Sequence, residues 1–154
     1  MRIEVTNQQA RHTLDEAALA RYAHWIMEQV QDLAPHFHWV ELSLVLTDDS
    51  IRALNREWCG RDKVTDVISF AYPDDDGFSG GDTGEIIVNV QQAAEEGRLR
   101  ESPDDELALY IAHGCHHLMG AEDHSPDRKR AMLTLERAWL ESARALGLCG
   151  PFFQ

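Results

Sequence analysis

The sequence predicts an α+β domain: a small mixed sheet of about four strands packed with about five helices, one of them buried and central. Three observations carry this. Segments with strand periodicity and segments with helical periodicity are interleaved, and helices dominate late in the chain. No repeat, low-complexity tract or linker divides the sequence. The stretch after Pro103 is apolar nearly all round, as a helix enclosed by other elements must be. With 154 residues, 44% of them apolar, residues 1–154 are expected to form one domain. A chain of that length buries roughly 70% of its unfolded surface and needs no staples.

Arg2–Val5 reads as a short first strand. Thr13, with Glu16 three residues on, reads as a capping box. It opens a helix carrying Leu19, Tyr22, Ile26, Val30 and Leu33, and Pro35 closes it. Val40, Leu42, Leu44 and Leu46 alternate with Glu41 and Ser43, as in a half-buried strand. Thr47 to Ser50 offers several caps for a helix with Ile51, Leu54 and Trp58, stopped at Gly60. Val67–Tyr72 is β-branched and aromatic, hence a strand. Pro73 to Asp82 is a loop by its proline, glycines and acids. Glu85–Val90 is another strand, and a short helix then runs from Asn89 or Gln91 to a stop at Gly97. Ser102-Pro103 and Ser125-Pro126 each place a cap before a proline at the first helical position. The first opens the apolar helix with Leu107, Leu109, Ile111 and Ala112, ending at Gly120. The second opens a helix with Met132, Leu135, Trp139, Ala143 and Leu146, ending at Gly147.

No apolar run approaches the ~20 residues that span a bilayer, and the N-terminus has no leader-like segment. The three cysteines, Cys59, Cys115 and Cys149, cannot all pair, and none has Cys-x-x-Cys spacing. A soluble, cytoplasmic chain with free thiols is expected. The net charge of -13 argues against bulk electrostatic coating of nucleic acid. The charge is uneven, however. Arg52, Arg56, Arg61 and Lys63 face only Glu57 and Asp62 between residues 52 and 63. That stretch is either a local phosphate-binding patch or a solvated helix end.

The chemistry concentrates in residues 113–124, HGCHHLMGAEDH. His113 and His117 are four apart in a predicted helix, so both imidazoles reach one ion. Gly120 lets the chain turn back, and His124 can then supply a third nitrogen. Three protein ligands leave one tetrahedral position open, the arrangement of a catalytic zinc rather than a closed structural one. His116 points ~100° away from His117, as a supporting or surface group. Cys115 faces the other side as a packed thiol. The metalloprotease signature has a glutamate base directly after its first histidine. Gly114 stands there instead, which disfavours peptide hydrolysis and permits close approach of another backbone or a substrate.

This stretch resembles the YbeY family of bacterial single-strand endoribonucleases, whose pattern is H-G-x-L-H-L-x-G-Y-D-H. Residues 54–70, LNREWCGRDKVTDVISF, and 84–88, GEIIV, resemble its other motifs. Order and spacing hold over about residues 40–145. The resemblance implies a zinc-dependent RNA hydrolase of small-subunit ribosomal RNA 3′-end maturation and ribosome quality control. It implies one Zn2+ per chain on three histidines, in a cleft between sheet and helices. The implied partners are ribosomal RNA and the ribosome or its small subunit, with no membrane and no DNA. Four positions depart from the pattern. His116 replaces a leucine, and Glu85 an aspartate. One extra residue follows Gly120, so Asp123 falls at the third-ligand position and His124 one residue late. His124 is the expected ligand, with Asp123 as alternative ligand or supporting acceptor. Cys59 replaces the arginine that the resemblance assigns to RNA phosphate. Arg61 or Arg56 would then stabilise the charge at phosphorus, and Thr65, Asp66 and Ser69 would shape the cleft or cap the strand. The competing expectations are a non-catalytic, zinc-stabilised ribosome-associated module and a metal-dependent hydrolase of another substrate.

Overall fold

The computed structural model describes every residue except Ser79. The elements run β1 (Arg2–Asn7), α1 (Glu16–Leu33), β2 (Trp39–Thr47), α2 (Ile51–Cys59), β3 (Val67–Tyr72), β4 (Asp82–Asn89), α3 (Val90–Leu99), α4 (Pro103–Leu118) and α5 (Pro126–Ala145). The sheet order is β1-β2-β4-β3. β1, β2 and β4 are parallel, and β3 runs antiparallel to β4, so the sheet is mixed as expected. Among the described residues, no helix is long and apolar enough to cross a membrane.

The main core lies on one sheet face. Leu42, Leu44, Leu46, Ile86 and Val88 meet Leu19, Tyr22 and Ile26 of α1 and Leu107, Ile111 and Cys115 of α4. Tyr22 ties the two helices together, its buried hydroxyl donating to the Ala108 carbonyl at 2.7 Å. α4 is the central helix, touching α1, α3, α5, β3 and β4. The opposite face is not bare. Val45, Ile68 and Ile87 bury against Ile51 of α2, with Leu54 and Phe70 packed on them. β2 is therefore covered on both faces in its second half rather than half-buried throughout.

Local corrections have clear causes. Helix α1 is capped by Asp15, whose carboxylate accepts from the Ala18 amide at 3.0 Å, not by Thr13. A register shift between Trp39 and Glu41 turns Trp39 into the main core, and Val40 lies outside it. β1 and β4 are longer than expected because each pairs with β2 along nearly its whole length. Gly97 does not stop α3, which continues to Leu99. A Cβ at Gly97 would lie 2.5 Å from the Pro103 Cα, so this glycine is where α3 and the start of α4 nearly touch. Ser102 and Ser125 cap α4 and α5 as their sequences imply, accepting from the Asp105 and Arg128 amides.

Candidate metal centre

The last two turns of α4 aim His113 and His117 the same way, and their Nε2 atoms lie 3.0 Å apart. Each ring is fixed through its other nitrogen. The His117 Nδ1–H donates to the Ala121 carbonyl at 2.8 Å. The His113 Nδ1–H donates to Glu136 of α5, 3.0 Å from both carboxylate oxygens. These partners leave both Nε2 lone pairs facing each other. Two such lone pairs at that distance are stable only with a shared cation, a proton or a metal ion. The Asp123 carboxylate completes the group, 3.8 Å from the His113 Nε2. His113, His117 and Asp123 offer one ligand atom each, all within 4.8 Å of one another. Two imidazoles and a carboxylate, with acceptors behind both imidazoles, fit zinc with an open position.

The loop after α4 sets this arrangement. Gly120 takes a left-handed φ of 87°, and its amide donates back to the His117 carbonyl at 3.0 Å. The chain then returns with Asp123 directed inward. His124 points out instead: its side chain is 74% exposed and its Nε2 lies 2.9 Å from Glu122. The structure thus gathers Asp123 to the histidine pair and leaves the expected third histidine outside.

His116 lies away from the surface, behind the histidine pair. It is buried, and its Nδ1–H donates to Glu136 at 2.8 Å while its ring packs edge-on to Trp139. Glu136, 1% exposed, thus accepts from both histidines. Burial pushes its carboxyl pKa up, but the bonds from His113 and His116 outweigh burial and hold it below its ordinary value. For His113, burial pulls the pKa down, and the bond and charge of Glu136 overcome this and raise it. Sequence reasoning missed Glu136, although a signal existed. It lies four residues after Met132 and three before Trp139, on the buried stripe of α5, where an acid needs a partner. Leu135, expected on that stripe, is only half-buried.

Gly114 allows α4 to sit on the sheet. A Cβ there would lie 2.8 Å from Val67 Cγ2 and 3.3 Å from Ile86 Cγ2. The close approach expected at this glycine is thus made by strand side chains. Ser69 reinforces it by donating to the Gly114 carbonyl at 2.7 Å.

A cleft of about 440 Å³ opens beside His117, walled by Cys59, Arg61, Thr65, Ser69 and Glu122. Thr65 and Ser69 both line this cleft. Asp66 lines a second cleft, beside His113, and its carboxylate accepts from the Val67 amide at 2.8 Å. Of the two arginines, Arg61 enters the cleft with His117. Arg56 lies outside it, 3.9 Å from Asp62, which also holds Arg52 at 2.8 Å. Asp62 therefore neutralises much of the basic stretch.

The fold and the sequence both have relatives. The solution structure of TM1509 from Thermotoga maritima superposes with a TM-score of 0.56, covering 95% of this chain and 94% of that one at 21% identity, a likeness of fold. The proteins named Endoribonuclease YbeY include one from Beutenbergia cavernae, 34% identical over 149 residues, 91% of this chain and 95% of its own. The one from Rhizobium meliloti is 43% identical over 116 residues, 73% of this chain and 67% of its own. The one from Anaeromyxobacter sp. (strain Fw109-5) is 42% identical over 112 residues, 71% of this chain and 56% of its own. The chain thus spans about half the length of its Anaeromyxobacter relatives. The family model described as Endoribonuclease YbeY matches residues 4–144, and with that coverage the chain belongs to the YbeY family.

Proposed function

We propose that this chain is a zinc-dependent, single-strand endoribonuclease that matures the 3′ end of small-subunit ribosomal RNA and serves ribosome quality control in the cytoplasm. The observation that carries this reading is the pair of Nε2 atoms 3.0 Å apart with Asp123 beside them, opening on a cleft that holds an arginine. The name its relatives bear supports the substrate class. One ion per chain would be held by His113, His117 and Asp123, with His124 as the outer neighbour. When bound, zinc supplies a Lewis acid next to a phosphodiester.

The chain's own residues divide the remaining work. Glu136 and the Ala121 carbonyl keep both imidazoles in the tautomer that presents Nε2. Arg61 offsets negative charge developing on the phosphoryl oxygens, where the Cys59 thiol offers none. The Ser69 hydroxyl is already spent on the Gly114 carbonyl, so it shapes the wall and moves no proton. Cys59 favours one second reading, a ribosome-associated module in which zinc only organises the fold.

Cleavage of a single-stranded oligoribonucleotide by zinc-loaded protein separates the two readings. Unsubstituted protein is expected to cut, and His117→Ala to bind no zinc and not cut. Arg61→Ala should keep its zinc and lose roughly 10²–10³-fold in rate, as when one charge-stabilising donor is removed. Asp123→Ala should lose the ion and His124→Ala retain it; the reverse would reassign the third ligand. Equal cleavage by unsubstituted protein and His117→Ala would mark a contaminating nuclease and sink the proposal.

A further inference from the structure

An endonuclease cuts inside a strand, so RNA must continue on both sides of the scissile phosphate. The cleft beside His117 accommodates one side. The cleft beside His113 is also about 440 Å³, formed between α4 and α5, with Asp66 at its edge. Their linings adjoin at the histidine pair. Thr65 and Val67 wall the first and Asp66 the second, while His117 lines the first and His113 the second.

The second cleft is chemically suited to a nucleotide chain. Lys129, Leu133 and Arg137 recur every four residues on α5, one stripe along its surface. Lys129 and Arg137 are about 12 Å apart along the axis at 1.5 Å per residue. Lys129 has no ion pair among the described residues, and Arg137 has only an exposed contact to Glu101 at 3.8 Å. Both cations are therefore free for phosphate. Arg100, at the far end, is held by Glu106 at 2.6 Å. Between the cations, Leu133 is 37% exposed and faces the half-buried Leu109 of α4, an apolar surface for bases over the buried Tyr110. Of the two acids here, Glu136 is engaged by both histidines and Asp66 by the Val67 amide.

We propose that this second cleft binds the single strand beyond the scissile phosphate, with Lys129 and Arg137 on its phosphates and Leu109 and Leu133 against its bases. The inference rests on the endoribonuclease reading and adds the path of the RNA. It is tested by anisotropy of a labelled 2′-O-methyl single-stranded oligoribonucleotide on the zinc-loaded chain, across a salt series. The Lys129→Ala/Arg137→Ala variant alters exposed side chains only and should keep its zinc and its circular dichroism. It should bind several-fold more weakly, whatever the sequence, with a salt slope shallower by about 1.4, or 0.7 for each phosphate left without its cation. The Arg2→Ala/Arg21→Ala variant, with the same charge change elsewhere, should leave the slope unchanged. Equal effects in the two variants would reduce the result to bulk charge and overturn the inference. An unchanged affinity and slope in Lys129→Ala/Arg137→Ala, while unsubstituted protein binds and cuts, would overturn the second cleft alone. A zinc-loaded chain that neither binds nor cuts would overturn both readings.

Discussion

Glu136 is the residue on which the centre's geometry turns. It is a buried carboxylate held by two imidazoles, one of which belongs to the candidate metal-binding pair. Glu136→Gln keeps the shape but removes the charge: an amide oxygen in the place of Oε2 still lies within reach of both N–H donors, as a neutral and weaker acceptor. Zinc affinity should fall about 10- to 100-fold, the usual effect of altering the acceptor behind a metal-binding histidine. Competition against a chromophoric chelator measures this; an unchanged affinity would show that His113 is oriented without Glu136. The centre is partly legible in the sequence. His113 and His117 stand out because their alignment needs nothing beyond a helix. The choice between Asp123 and His124 depends on the path of a loop, which spacing alone does not determine. Glu136 is contributed by another helix, and its histidine partners are tertiary neighbours that no local pattern reports.

At the scale of elements, two glycines set how closely helices approach their supports. At Gly114 the obstacles to a Cβ are γ-methyls, Val67 Cγ2 at 2.8 Å and Ile86 Cγ2 at 3.3 Å. At Gly97 they are backbone atoms, the Pro103 Cα at 2.5 Å and the Ser102 carbonyl oxygen at 2.6 Å. Side chains yield by small rotations, whereas backbone must move as a segment. Gly114→Ala should therefore destabilise by about 1–3 kcal/mol, and Gly97→Ala should fall at or beyond the top of that range. Urea titrations of both variants decide the order, and a more stable Gly97→Ala would contradict the close approach of α3 and α4. Strand and helix identities are readable from periodicity and caps, most clearly at Ser102 and Ser125, where the cap, the proline and the apolar pattern coincide. Gly97 reads as a stop because a glycine near a helix end looks the same whether it terminates the helix or admits a neighbour. The bulge before Glu41, which brings Trp39 rather than Val40 into the main core, leaves no mark in the alternation of β2.

Across the whole molecule, the candidate metal centre joins α4, α5 and the loop between them at the edge of a core that stands without it. The opposite face of α4 buries Leu107, Ile111 and Cys115 against the sheet and α1, and Glu136 holds His113 and His116 through direct hydrogen bonds. Metal removal should therefore lower stability without unfolding the chain, unlike domains whose fold is formed by zinc itself. An ion that binds only the folded state contributes RT ln(1 + [L]/Kd), about 2.7 kcal/mol at free zinc a hundredfold above Kd. For a domain of this size that is a rise in Tm of roughly 5–10 °C. Thermal unfolding with zinc and with a chelator should differ by that amount, with a cooperative transition in both. His117→Ala should melt near the chelated protein and ignore added zinc, since only one of the two imidazoles remains. A chelated chain with no cooperative transition would show that the ion is part of the fold, and identical melting with and without zinc would show that the centre does not hold it.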